Sequence, residues 1–406
     1  VFEHTPADGR LEVGDLIVGA EGERFENSHR FGYGMEVFGY FGPIQFFGDA
    51  LEAALADDGK LELSVSRGGE VREVVLKLPK RIGGYGETYP FECDKSEAVL
   101  EQLYEDLLER RRDDGLWSGR AHINAFAMLA LLGSPDRAHQ RAAEKAARAM
   151  ARDTQREVDW RGHSCWRTTL YGVALAEYHL KTDERWVLEE LDDIAHWLQD
   201  AEAPQGGWGH APWREDGSNG YGPINMITGQ AMLALGLIAR CGVEIDQEVH
   251  GRAHAFIARG TNTQGYVWYK DGNGGSGYAD MGRTGISALA HHHSPFESEA
   301  YREFAARNAG CIGRHPDTFP DTHACPLIGV AWAALGAATD ERYLRLLLDA
   351  NRWYFALSRT PEGSFYYQPN RDNTAQDYHA APRLSATATF ALVLSLRHRG
   401  LVITGR

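Results

Sequence analysis

Two periodicities divide the chain. In its first eighty residues apolar and polar side chains alternate: Lys60 to Val65 reads KLELSV and Val71 to Leu78 reads VREVVLKL. A period of two marks strands with one buried face, and Arg67-Gly68-Gly69 between the runs marks a hairpin turn. Leu11 to Gly19 reads as a turn running into a strand, Glu21-Gly22 as a tight turn, and Asp49 to Leu55 has helical spacing. From Lys95 onward the spacing becomes helical and repeats. Stretches with one charged face run over Ser96–Arg112, Asp136–Arg152, Asp183–Gln199, Gln247–Arg259, Glu297–Ala309 and Glu341–Leu357. Each is followed by a glycine-rich loop and then by a more apolar helix, starting near His122, Ser164, Pro223, Asp280, Ala324 and Leu384. A helix apolar all round is buried; one with a charged face lies outside. Six alternations at a spacing of roughly 40 to 60 residues predict a closed ring of inner and outer helices, an (α/α)6 toroid. The loops share a glycine–aromatic signature: Gly115-Leu116-Trp117, Gly206-Gly207-Trp208, Gly265-Tyr266-Val267-Trp268 and Gly363-Ser364-Phe365-Tyr366. Glycine permits the turn and the aromatic ring plugs the space between hairpins. The predicted class is mainly α, with a small α+β module over 1–80, a linker over 81–95 and the toroid over 96–406.

Composition adds limits. Hydrophobic residues make up 43% and charged residues 24% of the 406, enough for a core of ordinary density. The net charge of -15 argues against nucleic acid as a partner, since phosphate binding needs a basic surface. A few local arginines would still hold an anion. Cys93, Cys165, Cys241, Cys311 and Cys325 are scattered without a C-x-x-C pair, which removes a zinc ribbon or redox motif; Cys311 with Cys325 is the one disulfide considered. No apolar run reaches the ~18 residues of a membrane span. Val1 is not a natural start, so a signal peptide is taken to have been removed and the location to be periplasmic or secreted.

In the first module, Pro6-Ala7, Leu11, Gly14-Asp15-Leu16-Ile17, Gly22, the helix and Leu61-x-Leu63-x-Val65-x-Arg67 resemble a truncated PDZ domain. The glycine-rich loop and strand that would hold a peptide carboxylate are missing ahead of Pro6. An insertion rich in glycine and aromatics, Phe31 to Phe47, replaces a short connection. The module is expected to brace the toroid, with a lid formed by the insertion as the alternative. The repeat resembles the toroids of squalene cyclases and polysaccharide lyases. Together with Ile82-Gly83-x-Tyr85, Pro90-Phe91-x-Cys93-x-Lys95-Ser96, Leu175-Ala176-Glu177-Tyr178, Gly206-Gly207-Trp208-Gly209-His210, Tyr221-Gly222-x-x-Asn225, Asp271-Gly272-Asn273-Gly274 and Leu401-Val402-Ile403-Thr404-Gly405, the chain resembles a bacterial family that joins a PDZ-like front to an α/α toroid. That resemblance implies a lyase acting on a uronic-acid polysaccharide, with an ulvan-like glycan as one substrate.

In a toroid all inner helices start at one end, and their N-termini form a bowl suited to anions. The polar residues at those starts are Arg120, His122 and Asn124; His163, Arg167 and Tyr171; His210, Tyr221 and Asn225; Tyr278, Asp280 and Arg283; His315, Asp317 and His323; and Tyr366, Tyr367, Tyr378 and Arg383. Trp208, Trp213 and Trp268 are candidates to stack on sugar rings. The set is rich in His, Tyr, Arg and Asn and poor in carboxylates, which suits β-elimination from a uronate. The C5 carboxylate must be neutralised by donors while a base takes the C5 proton and an acid serves the leaving oxygen. Asn225 is the expected neutraliser, His163 or His210 the base, and Tyr221 or Tyr278 the acid. Arg167 and Arg283 would grip carboxylate or sulfate, although Arg167 would otherwise pair with Glu177 or Asp159. Asn124, Tyr171, Trp208, Asp280, His315, His323, Tyr367 and Tyr378 complete the binding surface. His291, His292 and His293 read as cations at a helix C-terminus.

No cofactor or metal is expected. Asp271-Gly272-Asn273-Gly274-Gly275 has part of a calcium loop without its closing acid, leaving a structural calcium near Asp271 and Asn273 as the weaker alternative. His315, Asp317 and His323 are a weak zinc set. Two other functions stay open. A glycoside hydrolase needs two carboxylates about 5 to 9.5 Å apart, for which Asp280 with Asp317 or Asp321 are the pairs. A glycan-binding scaffold needs no catalysis. Terpene cyclisation ranks last, because no acidic D-x-D-D run opens an inner helix.

Overall fold

The computed structural model describes residues 1, 3–28, 42–79, 82–154, 164–215, 222–272, 281–318, 326–365 and 382–405. The chain opens with β1 (Leu16–Ala20), β2 (Glu23–Arg24), α1 (Pro43–Ala56), β3 (Lys60–Arg67) and β4 (Glu70–Lys77). The strands form an antiparallel sheet in the order β2-β1-β3-β4. The expected hairpin pairs Arg67 with Glu70 across Gly68-Gly69. Alternation does what it predicts: Leu61, Leu63, Val65, Val74 and Leu76 turn inward against Ala54 of α1. The helix runs six residues further toward the N-terminus than the Asp49 expected, taking up the end of the aromatic insertion. Residues 31–41 of that insertion lie outside the described residues.

Six hairpins follow: α2 (Asp94–Arg110) with α3 (Ala121–Gly133), α4 (Arg137–Thr154) with α5 (Ser164–Thr182), α6 (Leu188–Asp200) with α7 (Asn225–Arg240), α8 (Gln247–Arg259) with α9 (Met281–His292), and α10 (Glu299–Arg314) with α11 (Pro326–Ala337). The sixth outer position is split into α12 (Glu341–Asp349) and α13 (Arg352–Ser358), which precede α14 (Pro382–Ser395). One continuous helix is expected there. Asn351 breaks it, and its amide donates to the freed Leu347 carbonyl and to Pro316 O, both at 2.7 Å. The apolar helices α3, α5, α7, α9, α11 and α14 pack side by side, and α14 returns to α3, closing the ring. The charged helices cover them, as the one-sided polarity of α4 and α6 requires. The toroid is therefore as expected. Its lumen is filled: Phe126 of α3 meets Trp332 of α11 edge-on at 5.6 Å, and both are fully buried.

One loop geometry recurs. Arg112 to Leu116, Ala203 to Gly207, Asn262 to Tyr266 and Thr360 to Ser364 each bond N–H to C=O at 2.8–3.0 Å around a tight turn. The following residue is then fixed to the next inner helix by a side chain. Trp117 N donates to Asn124 Oδ1 (3.0 Å), Trp208 N to Thr228 Oγ1 (3.1 Å), Val267 N to Thr284 Oγ1 (3.1 Å) and Phe365 N to Thr387 Oγ1 (3.2 Å). Gly265 in this turn has φ +89°, and a Cβ there would stand 2.5 Å from Arg307 O on the next outer helix. The last turn lies against the first outer helix: Gly363 faces Gln102, and Arg359 donates to Gln102 Oε1 at 2.9 Å.

Residues 400–405 plug the other end of the ring. Leu401 and Ile403 are buried. Glu177 accepts the N–H groups of Val402 and Ile403, and His293 Nε2 bonds Ile403 O at 2.8 Å. Burial raises the Glu177 carboxyl to about 7 despite those bonds.

The N-terminal module is fixed to the toroid through α1, which lies on α13. Gly48 lets the helices touch, since a Cβ would stand 2.7 Å from Trp353 O. Glu52 pairs with Lys95, both buried, and accepts Tyr85 N–H at 2.8 Å. Lys95 also sits 4.4 Å from the Tyr85 ring centroid. Removing one partner of a buried pair strands the other charge. Glu52→Gln is expected to lower stability by about 3–5 kcal/mol, measured by urea unfolding, while Glu52→Leu with Lys95→Met recovers most of it.

Candidate functional site

The connections from inner to outer helices are short, as in Ser134–Asp136 between α3 and α4. Those from outer to inner are long, as in Ala201–Ile224 between α6 and α7. The long loops and the inner-helix N-termini share one end of the ring, while the 400–405 plug closes the other. The long loops thus gather where the inner helices start.

Of the described candidates, Asn124, Arg167, Asn225 and Arg283 lie in the first turns of their inner helices, Tyr171 bonds Asn124, and His210 bonds the first turn of α5. His163, Tyr221, Tyr278, Asp280, His323, Tyr367 and Tyr378 lie outside the described residues, as do Asn273, Asp321 and Cys325.

Around α5 the geometry is specific. Trp166 Nε1 donates to His210 Nδ1 at 2.8 Å, with the rings stacked at 6.0 Å and 27°. An indole nitrogen only donates, so Nδ1 of His210 carries no hydrogen and the neutral ring carries it on Nε2. His210 O accepts Cys165 N–H at 3.1 Å, tying the 206–210 loop to the first turn of α5. A neutral His210 is therefore a donor through Nε2, and the base role expected for it does not fit that tautomer. Arg167, partly buried on the same turn, makes no hydrogen bond or ion pair among the described residues. Of its two expected partners, Glu177 binds the plug, and Asp159 lies outside the described residues. Arg120, which caps α3, is exposed, and its guanidinium likewise has no partner among the described residues. Ser164 Oγ, at the start of α5, is buried without a hydrogen-bond partner.

Other candidates are engaged structurally. Asn124 is 1% exposed; its Oδ1 accepts Trp117 and Ser118 N–H, and its Nδ2 donates to Ser118 O (2.9 Å) and Tyr171 OH (3.0 Å). Its hydrogen-bonding capacity is filled, which corrects the expected binding role. Tyr171 also bonds Asp153, and burial pushes its hydroxyl to about 12. Both amide hydrogens of Asn225 go to carbonyls, Trp268 O at 2.9 Å and Lys270 O at 3.0 Å. None is left for a substrate carboxylate, so the expected neutraliser is a clamp for the 268–270 loop. Its Oδ1 is buried and unpartnered. Trp208 is fully buried and donates Nε1 to Leu198 O at 2.7 Å, which removes it as a stacking platform. Trp117 does the same with Leu107 O at 2.7 Å. Trp213 and Trp268 remain partly exposed. Arg283 is buried, donating to Val267 O at 3.2 Å and to Tyr266 OH at 3.1 Å. His122 joins α3 to α14 through Ser385 Oγ at 3.0 Å. His315 ends α10, and burial lowers its pKa.

Asp271 faces Arg259 at 3.5 Å, and no group of three or more His, Cys, Asp or Glu side chains able to hold a metal ion occurs among the described residues. His291 and His293 are not helix-end cations: burial holds both near 3, neutral. Sequence reasoning missed Trp166, whose place beside Arg167 gave no signal of its contact with a loop 44 residues away. It also missed His250 and His254, whose four-residue spacing on a helix was a visible signal.

Residues 96–405 match the family model described as "Domain of unknown function (DUF6288)". The chain belongs to that family. Curated proteins give no match. Solved structures share the ring. The GH76 α-mannanase of Bacteroides thetaiotaomicron superposes with a TM-score of 0.56 at 10% identity, over 75% of this chain and 96% of the mannanase. An inactive variant of the α-1,6-mannanase of Salegentibacter, in complex with α-1,6-mannotriose, gives 0.52 at 13%, over 75% and 99%. The type II terpene cyclase of Scytonema with its product merosterolic acid A gives 0.52 at 15%, over 75% and 98%. At these identities the likeness concerns the fold of the family's toroid. Among the described residues no helix is long and apolar enough to cross a membrane.

The tautomer is directly observable. Long-range 1H–15N NMR is expected to show His210 Nε2 protonated and Nδ1 bare at neutral pH, and Trp166→Phe to erase that preference.

Proposed function

We propose that the bowl is the active site of an enzyme that cleaves an anionic, uronate-containing polysaccharide by β-elimination. The observation that supports this best is the pair of guanidinium groups, Arg120 and Arg167, that open the adjacent inner helices α3 and α5 without a partner among the described residues. An unpaired, partly buried guanidinium beside helix N-termini favours carboxylate or sulfate. His210 is fixed beside Arg167 by its bond from Trp166, and the neutralising role that Asn225 does not fill falls to these arginines. The base is then His163, and the acid Tyr221 or Tyr278. In this reading the base removes the C5 proton, the C4–O bond breaks, a C4–C5 double bond forms, and the tyrosine protonates the departing oxygen. Sulfated, ulvan-like polymers fit the same arginines, and a polymeric substrate fits a secreted or periplasmic enzyme. The N-terminal module is read as a PDZ-related brace, because α1 is committed to the toroid.

A hydrolase on the same ring is the second reading, favoured by the glycan-bound Salegentibacter neighbour. It needs two facing carboxylates. Near the inner-helix starts Asp153 is one, and it is engaged with Tyr171.

Incubation with a panel of uronic-acid polymers, including ulvan, is expected to produce ultraviolet absorbance from the unsaturated product. Reducing ends without that absorbance would establish the hydrolase instead, and binding without turnover, unchanged by His210→Ala, a scaffold. Arg167→Ala is expected to raise KM by roughly ten- to a hundredfold with unfolding unchanged, since Arg167 bonds no neighbour among the described residues.

A further inference from the structure

Outside the bowl, between α8, α9 and α10, lies a layer of three histidines. His250 and His254 stand one turn apart on α8, and His291 is on the last turn of α9. His291 Nδ1 is 2.7 Å from Ser287 O, which only accepts, so Nδ1 carries the hydrogen. Its Nε2 therefore accepts, and the hydrogen in the 2.8 Å contact with His254 belongs to His254 Nδ1. Ser287 Oγ donates to Asn308 Oδ1 at 2.9 Å, and Asn308 Nδ2 donates to Gly265 O at 2.6 Å. Gly265 opens the 262–270 loop, whose carbonyls at 267, 268 and 270 receive Arg283 and Asn225. A continuous chain of hydrogen bonds thus joins the histidine layer to the wall of the bowl. His250 lies in the same layer, fully buried, with neither ring nitrogen bonded, 5.2 Å from Phe296 and 5.4 Å from Tyr301 between centroids.

We propose that this layer is an acid-sensitive latch: proton uptake by His250, His254 and His291 loosens α8 and α10 from α9 and frees the 262–270 loop, while the rest of the ring stays folded. The His254–His291 bond needs a neutral His291, since its Nε2 is the acceptor. A proton on His291 Nε2 points at the hydrogen of His254 Nδ1, and a proton on His250 finds no acceptor. Among the described residues no carboxylate acts on the layer. His250 and His254 face the layer from α8, Tyr301 and Arg307 from α10, and Arg307 lies 4.5 Å from the Phe304 ring centroid. Arg240 of α7 and His292 and His293 stand beyond it, and α11 carries no titratable side chain. Burial holds His250 near 4 and His291 near 3, and lowers His254. The sign follows: the closed layer is fully favoured above about 6.5, where exposed histidine is already neutral. It loses about tenfold per pH unit for each histidine as pH falls toward the buried values.

Amide-exchange protection factors, followed from about pH 7 to about pH 5, test this. In the wild type, protection over 247–270 and 287–308 is expected to fall before that of α3 and α5. His250→Phe breaks no hydrogen bond and fits between Phe296 and Tyr301. Its protection at neutral pH reports that it is folded, and its loss of protection with pH is expected to be shallower by about one proton. An unchanged slope in His250→Phe, or simultaneous loss across the whole ring, would overturn the proposal.

Discussion

The ring depends on one small contact, made at least four times: a backbone N–H just after a tight turn, accepted by a side chain on the inner helix that follows. Asn124, Thr228, Thr284 and Thr387 are the acceptors. Each N–H is buried, so leaving it unmet would cost about 1–3 kcal/mol. The acceptor also fixes where the inner helix starts relative to its outer partner. Because all four loops use the same device, the inner helices begin at the same height, and the bowl is the common level of their first turns. The buried indoles of Trp117 and Trp208 reinforce this by capping the carbonyls of Leu107 and Leu198 near the ends of outer helices.

That arrangement explains why polarity at the bowl divides into two kinds. Residues one turn inside an inner helix, such as Asn124 and Thr228, serve the loops. Arg120 and Arg167, at the starts of α3 and α5, serve no loop among the described residues. Acidic residues follow the same division: α2 carries six and α6 five on the outer layer, and the first turns of the inner helices carry none.

The architecture was legible in the sequence because it rests on periodicity. Helices α3, α7 and α14 are apolar on every face and α4 and α6 on one, and no other packing buries that pattern. Element starts such as Ser164 and Gln247 fell where expected, and α12 failed to continue because Asn351 competes for backbone bonds, a local choice that periodicity does not register. Site roles were less legible. Asn225, Asn124 and Trp208 have the chemistry of substrate contacts, and only the positions of Trp268 O, Ser118 O and Leu198 O reveal that they are already engaged. The tautomer of His210 depends on Trp166, 44 positions earlier, a pairing that no local pattern encodes. The His250–His254 spacing, by contrast, was readable, and so was the Glu177 segment. What neither disclosed was the partner: His291 from the next helix and Val402 from the chain's last turn.

The plug at residues 400–405 bears on how the molecule is made. Its anchors come from the second hairpin through Glu177 and from beyond the fourth through His293, itself bonded by Arg240 of the third at 2.9 Å. Its neighbour Gly133 belongs to the first. A chain emerging from the ribosome can form each helical pair as it appears, but the base of the ring stays unsealed, with Glu177 buried or solvated according to chance, until Ile403 has been translated. All six hairpins are therefore made before the segment that seals their base, and closure of the circle waits on residues that follow the last inner helix.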